Sequence, residues 1–115
     1  MIVIERKIIH NIPILEIVEE DKKTEAIPLA FFYHGITNQK ERGLEPGYAL
    51  ANNGMRVIIP DAYRHGERKD EAYAGEPAAE FWSVVLQNIK ELPDLVEAYV
   101  EAGLAKRDKV SVTGL

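Results

Sequence analysis

The chain has 115 residues, with 14 basic and 19 acidic side chains and a formal net charge of −5. That length holds one domain at most, and 46% hydrophobic residues supply a real core, which excludes wholesale disorder. With no cysteine, disulfide scaffolds, thiolate zinc sites, iron–sulfur clusters and cysteine nucleophiles are excluded, and the acidic balance argues against nucleic-acid or anionic-membrane binding.

The first residues, Met1 to Lys7, place their charges after a short apolar stretch, the reverse of a secretory signal. The expectation is a soluble cytoplasmic protein. Residues 1–24 read as a hairpin at the edge of a sheet. Ile2, Ile4, Ile8 and Ile9 form one apolar series and Ile12, Ile14, Leu15, Ile17 and Val18 a second. β-branched residues dominate both, Pro13 suggests an edge or a break, and Glu20 to Lys23 make a charged turn. Ile27 to Tyr33 is the longest apolar run, too short to cross a bilayer. It does not alternate, so it predicts a strand buried on both faces, as in a parallel sheet covered by helices.

His34-Gly35 ends that strand, and a polar stretch from Thr37 to Arg42 leads to a short helix. Pro46 suits its first turn, Gly54 its C-terminal cap, and Tyr48, Leu50 and Ala51 its inner side, while Gly47 weakens it. Met55 to Pro60 predicts a second buried strand, followed by a polar loop to Glu76. Pro77 opens the strongest helix. Phe81, Val85, Ile89, Leu92, Val96 and Tyr99 recur at steps of three and four and share one face. Pro93 inside this pattern predicts a kink or two abutting helices, and Gly103 closes the segment. Val110 to Thr113 begins a third buried strand. Residues 27–115 thus follow the βαβαβ order of a doubly wound sheet, an α/β class, cut at its last strand.

Ligands of such sheets bind beyond the C-terminal strand ends. Here those ends are His34 to Thr37, Asp61 to Arg68, and Gly114-Leu115. Gly35 permits a sharp turn that leaves amides free to hold an oxyanion, although a plain strand-ending turn accounts for the same residues. Asp61 and His65, with His34 and His10, would make only a thin metal site, and no helical HExxH spacing is present. A structural role is more modest: Asp61 capping amides, and Arg64 or Arg68 pairing with a carboxylate. Ser83 lies on the long helix and Ser111 inside a predicted buried strand, so neither makes a convincing triad nucleophile. Trp82 and the tyrosines read as packing residues. No Gly-rich nucleotide loop is present, so no cofactor is implied.

Four segments in order carry a resemblance. They are His34-Gly35-Ile36-Thr37-Asn38-Gln39-Lys40-Glu41, Tyr48 to Gly54, Val57 to Arg68, and Val110 to Leu115. Over residues 27–115 the chain resembles the N-terminal half of an α/β-hydrolase. It is most similar to small bacterial esterases of the dienelactone-hydrolase and prolyl-oligopeptidase-like branch. The resemblance implies that His34-Gly35 is the family's HG turn, with the backbone N–H of Ile36, or of Thr37, donating to the oxyanion. It implies that Asp61, Arg64, His65 and Gly66 border and shape the pocket without acting as catalytic acid or base. Gly114-Leu115 matches the first two positions of the G-x-S-x-G elbow, which puts the serine in the next position and the catalytic Asp and His later.

The expectation is therefore a serine hydrolase, carboxylesterase-like, acting on a small ester in the full-length parent, with the 115 residues alone inactive. A truncation, a cleavage, or a modified serine as the next residue would each account for the ending, and its coincidence with the elbow favours the last. The alternative is a non-catalytic fragment or interaction module that self-associates, as a homo-oligomer, or needs a complementing C-terminal fragment.

Overall fold

A computed structural model describes residues 1–34, 39–62, 66–68 and 77–114, with the backbone alone for 77–81. Strands β1 (Ile2–Ile9) and β2 (Ile12–Glu19) form an antiparallel hairpin in which Ile9 faces Ile12. The two linking residues, His10 and Asn11, both have positive φ, 51° and 64°. That is the mirror-image turn whose twist matches paired strands, and Asn tolerates the left-handed region better than most residues. A one-turn helix at Glu20–Lys22 occupies the expected charged turn.

Strands β3 (Leu29–Tyr33), β4 (Arg56–Pro60) and β5 (Val110–Gly114) complete a five-stranded sheet of order β1-β2-β4-β3-β5. β3 lies between β4 and β5 and is parallel to both, while β4 is antiparallel to β2. The hairpin therefore supplies one edge through β1 only. β2 is an interior strand, and seven of its eight residues are buried. Pro13 is tolerated because the ladder to β4 begins at Ile14, opposite Pro60.

The sheet is buried on two faces. Ile14, Phe31 and Ile58 face helix α2 (Pro77–Glu101), packing with Leu95 and Tyr99. Leu15, Ile17, Phe32, Val57 and Ile59 face helix α1 (Leu44–Ala51), packing with Ala51. This two-sided burial accounts for the unbroken apolar runs in β3 and β4.

Three expectations need correction. The inner side of α1 holds Gly47 and Ala51, with Leu50 packed against the same core as expected, and Tyr48 departs by standing half-exposed. A Cβ on Gly47 would come within 2.6 Å of Ile17 Cδ1, so the missing side chain lets the helix lie close on the sheet. α2 runs as one helix through Pro93, and its buried side chains include Val84, Leu95 and Tyr99; Ile89 is 61% exposed and Trp82 70%. Tyr99 is buried and Leu92 and Val96 pack against the core as expected, so Ile89 is the departure from the predicted face, and Phe81 lies outside the described side chains. Finally, among the described residues β5 pairs with β3 alone, and Ser111 to Gly114 are exposed, not buried. None of the described helices is long and apolar enough to cross a membrane.

Candidate functional site

Parallel strands that share a direction deliver their C-terminal residues to one edge. β4, β3 and β5 are neighbours in that order, and Tyr33 pairs with Gly114. His34, Asp61 and Gly114 therefore leave adjacent strands on the same side of the sheet. α1 and α2 lie on opposite faces, so the chain reverses its winding at β3, the position where open α/β sheets bind ligands. Gly35, Ile36, Thr37, Arg64, His65 and Leu115 lie outside the described residues.

The described part of the site is a buried polar cluster centred on Asp61, which is fully buried. Its Oδ1 accepts the Lys40 backbone N–H at 2.9 Å, and its Oδ2 accepts Lys40 Nζ at 2.8 Å and the Glu67 N–H at 3.0 Å. Its own N–H donates to the Pro13 carbonyl at 3.0 Å, and its carbonyl accepts Arg68 Nη1 at 3.2 Å. One carboxylate thus ties together the exit of β4, the turn before α1 and a one-turn helix at Gly66–Arg68. Gly66 has φ +54°, and a Cβ there would lie 2.6 Å from Asp61 Oδ2 and closer still to the rest of the carboxylate. Glycine is needed for both reasons.

Lys40 is the cation of this cluster and is 1% exposed. Its Nζ reaches Glu67 at 2.6 Å and Glu41 at 3.2 Å in addition to Asp61. Burial alone would lower its pKa, but hydrogen bonds to Asp61, Glu67 and Glu41 outweigh this and raise it. Glu67 also takes Arg6 from β1, with Nε at 2.9 Å from Oε2. Hydrogen bonds from Arg6 and then Lys40 bring the Glu67 carboxyl down to about 2. Arg68 makes a two-pronged pair with Glu91 of α2 at 2.7 and 2.6 Å, which carries the cluster across to the other helix.

His34 is buried, and its Nε2 accepts the Ala62 N–H at 2.9 Å. An imidazole nitrogen that accepts a bond carries no proton, so in this arrangement Nε2 is an anchor. His10 sits in the β1–β2 turn, and among the described residues no group of three His, Asp or Glu could hold a metal ion. Arg68 pairs with a carboxylate and Asp61 caps amides. Lys40 is the residue that sequence reasoning missed. It lies in a polar stretch with no periodic signal. A weaker signal did exist: Gly43, Gly47 and Ala51, spaced by four, run as small residues from the turn that begins at Lys40 into α1, where Gly43 and Gly47 lie close against Phe32, Ile59 and Ile17.

No family model matches the chain. It is 39% identical over 114 residues to "Putative esterase YitV" of Bacillus subtilis, and 34% identical over 117 residues to "Esterase YjfP" of Escherichia coli. Both alignments cover 99% of this chain and 45% of the relative, so the chain spans about half the length of the curated relatives it matches. Among solved structures it is similar to TT1662 from Thermus thermophilus, with a TM-score of 0.73 at 26% identity, covering 99% of this chain and 46% of that one. It also matches a "Putative Dienelactone Hydrolase" from Klebsiella pneumoniae, with a TM-score of 0.75 at 17% identity, covering all of this chain and 50% of that one. The chain is homologous to these esterases along its whole length, and its mixed five-stranded sheet corresponds to about half of an α/β-hydrolase.

Proposed function

We propose that these residues form the N-terminal half of a serine esterase that hydrolyses small acyl esters. The observation that carries this reading is the convergence of His34, Asp61 and Gly114 at one sheet edge, in a chain homologous over its whole length to esterases. A G-x-S-x-G elbow opening at Gly114 would place the nucleophilic serine directly after Leu115, beside the exit of β3. The serine oxygen then adds to the ester carbonyl as a histidine from the second half takes its proton. The developing oxyanion is held by the backbone N–H of Ile36, or of Thr37, as one donor. Collapse of the tetrahedral adduct expels the alcohol with that proton and leaves an acyl-serine, which water cleaves by the same route.

In this scheme His34, Gly35, Asp61, Arg64, His65 and Gly66 shape the pocket and take no proton. The reading requires the full-length protein to hydrolyse a short p-nitrophenyl ester, and a serine-directed phosphonate to abolish that activity by labelling the residue after Leu115. No hydrolysis across a broad acyl panel overturns it.

A second reading draws on a different observation. Among the described residues the outer edge of β5 has no paired strand, and Trp82, Leu86, Ile89 and Val112 are exposed. An interaction module of 12.9 kDa would bury such surface against a second copy or a complementing chain. A cooperatively folded monomer of that mass in sedimentation overturns the pairing.

A further inference from the structure

β1 is the edge of the sheet, and among the described residues no strand pairs with its outer side. The register fixes which backbone groups are open there. The Met1 carbonyl accepts the Glu20 N–H at 2.8 Å, and Ile2 stands opposite Glu19. In an antiparallel ladder alternate residues turn both backbone groups toward the neighbouring strand. Val3, Glu5, Lys7 and Ile9 therefore bond to β2, while Ile2, Ile4, Arg6 and Ile8 point their N–H and C=O groups outward. The Ile4 and Ile8 side chains are 50% and 57% exposed, so two apolar residues flank Arg6 along this open edge.

The edge is complementary to itself. A second copy placed antiparallel, with the two-fold axis at Arg6, sets Ile4 opposite Ile8 and Val3 opposite Ile9, each twice. Every outward pair can then exchange two backbone hydrogen bonds. The same register sets Glu5 opposite Lys7 twice, opposite charges on one face. Both side chains are about one-third exposed beyond their own-chain partners Lys23 and Glu16, so a second copy can reach them. A charge on an edge strand ordinarily opposes pairing, and Arg6 would meet its own copy at the axis. Each Arg6 is already neutralised by Glu67 of the same chain. Moving the axis one residue either way would face Glu5 or Lys7 with its own copy and set Arg6 against an isoleucine.

We infer that β1 is a self-association strand: two copies of the protein pair antiparallel through their β1 edges, centred on Arg6, and join their sheets into one. This dimer involves neither β5 nor the strand ends of the candidate site, so it goes beyond both readings above. One strand per copy makes a small interface, so the association depends on concentration.

The test uses the full-length protein. Sedimentation velocity should show monomer giving way to dimer as the concentration rises from micromolar to millimolar. Over the same range, amide-resolved hydrogen exchange should slow at Ile4, Arg6 and Ile8, while Val3, Glu5 and Lys7 stay protected throughout. Because the Ile4 and Ile8 side chains are exposed, replacing them spares the core. Ile4→Glu/Ile8→Glu faces like charges twice and should weaken the dimer by about tenfold or more, whereas Ile4→Glu/Ile8→Lys faces opposite charges twice and should stay within about threefold of the parent. A monomer at every concentration overturns the inference, whether the Ile4, Arg6 and Ile8 amides are open or already protected by another part of the chain. A dimer that both double variants leave intact has its interface elsewhere, and one that both weaken equally lacks this register; either overturns it too.

Discussion

Arg56 offers the sharpest test of how this sheet is held together. It begins β4, is fully buried, and meets an equally buried Glu16 of β2, with Nη1 at 3.0 Å from Oε2. The guanidinium does more than pair. Its Nη2 donates to the carbonyls of Lys23 and Glu25 at 2.9 and 3.1 Å, and more distantly to that of Lys22 at 3.4 Å, so it also closes the connection between β2 and β3. Glu16 receives Tyr99 Oη at 2.5 Å and Lys7 Nζ at 3.1 Å. Burial and the adjacent Glu16 carboxylate push the Tyr99 phenol well above its ordinary range, so it remains a donor.

Arg56→Met strips one partner from a buried ion pair, a loss of about 3–5 kcal/mol. Glu16→Gln/Arg56→Met removes both charges but still deprives the Lys23 and Glu25 carbonyls of their donor. At about 1 kcal/mol for each lost hydrogen bond, the double variant should remain about 2 kcal/mol below the parent. The double variant should therefore be more stable than Arg56→Met alone. Urea unfolding followed by far-ultraviolet circular dichroism measures all three proteins. With a slope of about 1–3 kcal/mol per molar urea, the single variant should lose more than about 1 M in its midpoint. A single variant within about 1 kcal/mol of the parent, or a double variant less stable than the single, would refute the assignment of Arg56 as a cation held by Glu16.

Three further outcomes follow from named contacts. Gly66→Ala drives a Cβ into the Asp61 carboxylate from a left-handed backbone, and should cost about 2 kcal/mol or more in urea unfolding; a change under about 0.5 kcal/mol contradicts the packing. Tyr33 has a buried hydroxyl with no hydrogen-bond partner among the described residues, and burial pushes its pKa up to about 12. Tyr33→Phe should therefore leave stability unchanged or raised, and a loss above about 1 kcal/mol would reveal a partner. The Glu67 carboxyl is depressed from 4.5 to about 2 in the folded protein, so its contribution is complete above pH 4.5 and is lost as the pH falls toward 2. Glu67→Gln should flatten the acid limb of stability in that window, and superimposable acid limbs would remove Glu67 from the account.

The sequence alone reaches the strands well because their signal is local. An unbroken apolar run means two buried faces, and β3 and β4 bury residues toward α1 and α2 alternately. The β1–β2 hairpin is legible for the same reason. The helices are less so, because periodicity cannot choose between neighbouring apolar stripes. α2 carries Trp82, Val84, Val85, Leu86 and Ile89 within two turns, and these residues suit more than one orientation. The sheet selects Val84 and leaves Trp82, Leu86 and Ile89 outside. Gly47 failed in the opposite sense. Its low helix propensity argued against the helix, yet its missing side chain is what brings α1 onto Ile17 and Ile59.

The site divides along the same physical line. That three strand ends should converge follows from topology, which local patterns reveal. That Lys40 should be buried does not, because a lysine in a polar stretch reads as solvated. Its burial becomes tolerable only when Asp61, 21 residues away, and Glu67, 27 residues away, arrive to hold it. Glu16 and Arg56, 40 residues apart, obey the same rule at the middle of the sheet. In both pairs each residue alone would be a costly buried charge, and only the folded chain supplies the partner that makes burial affordable. Such pairs form only in the correct strand order. Replacing β4's position beside β2 by any other neighbour would orphan Arg56 and Glu16 together, so the ion pairs select the sheet order that the apolar runs, interchangeable among themselves, leave open.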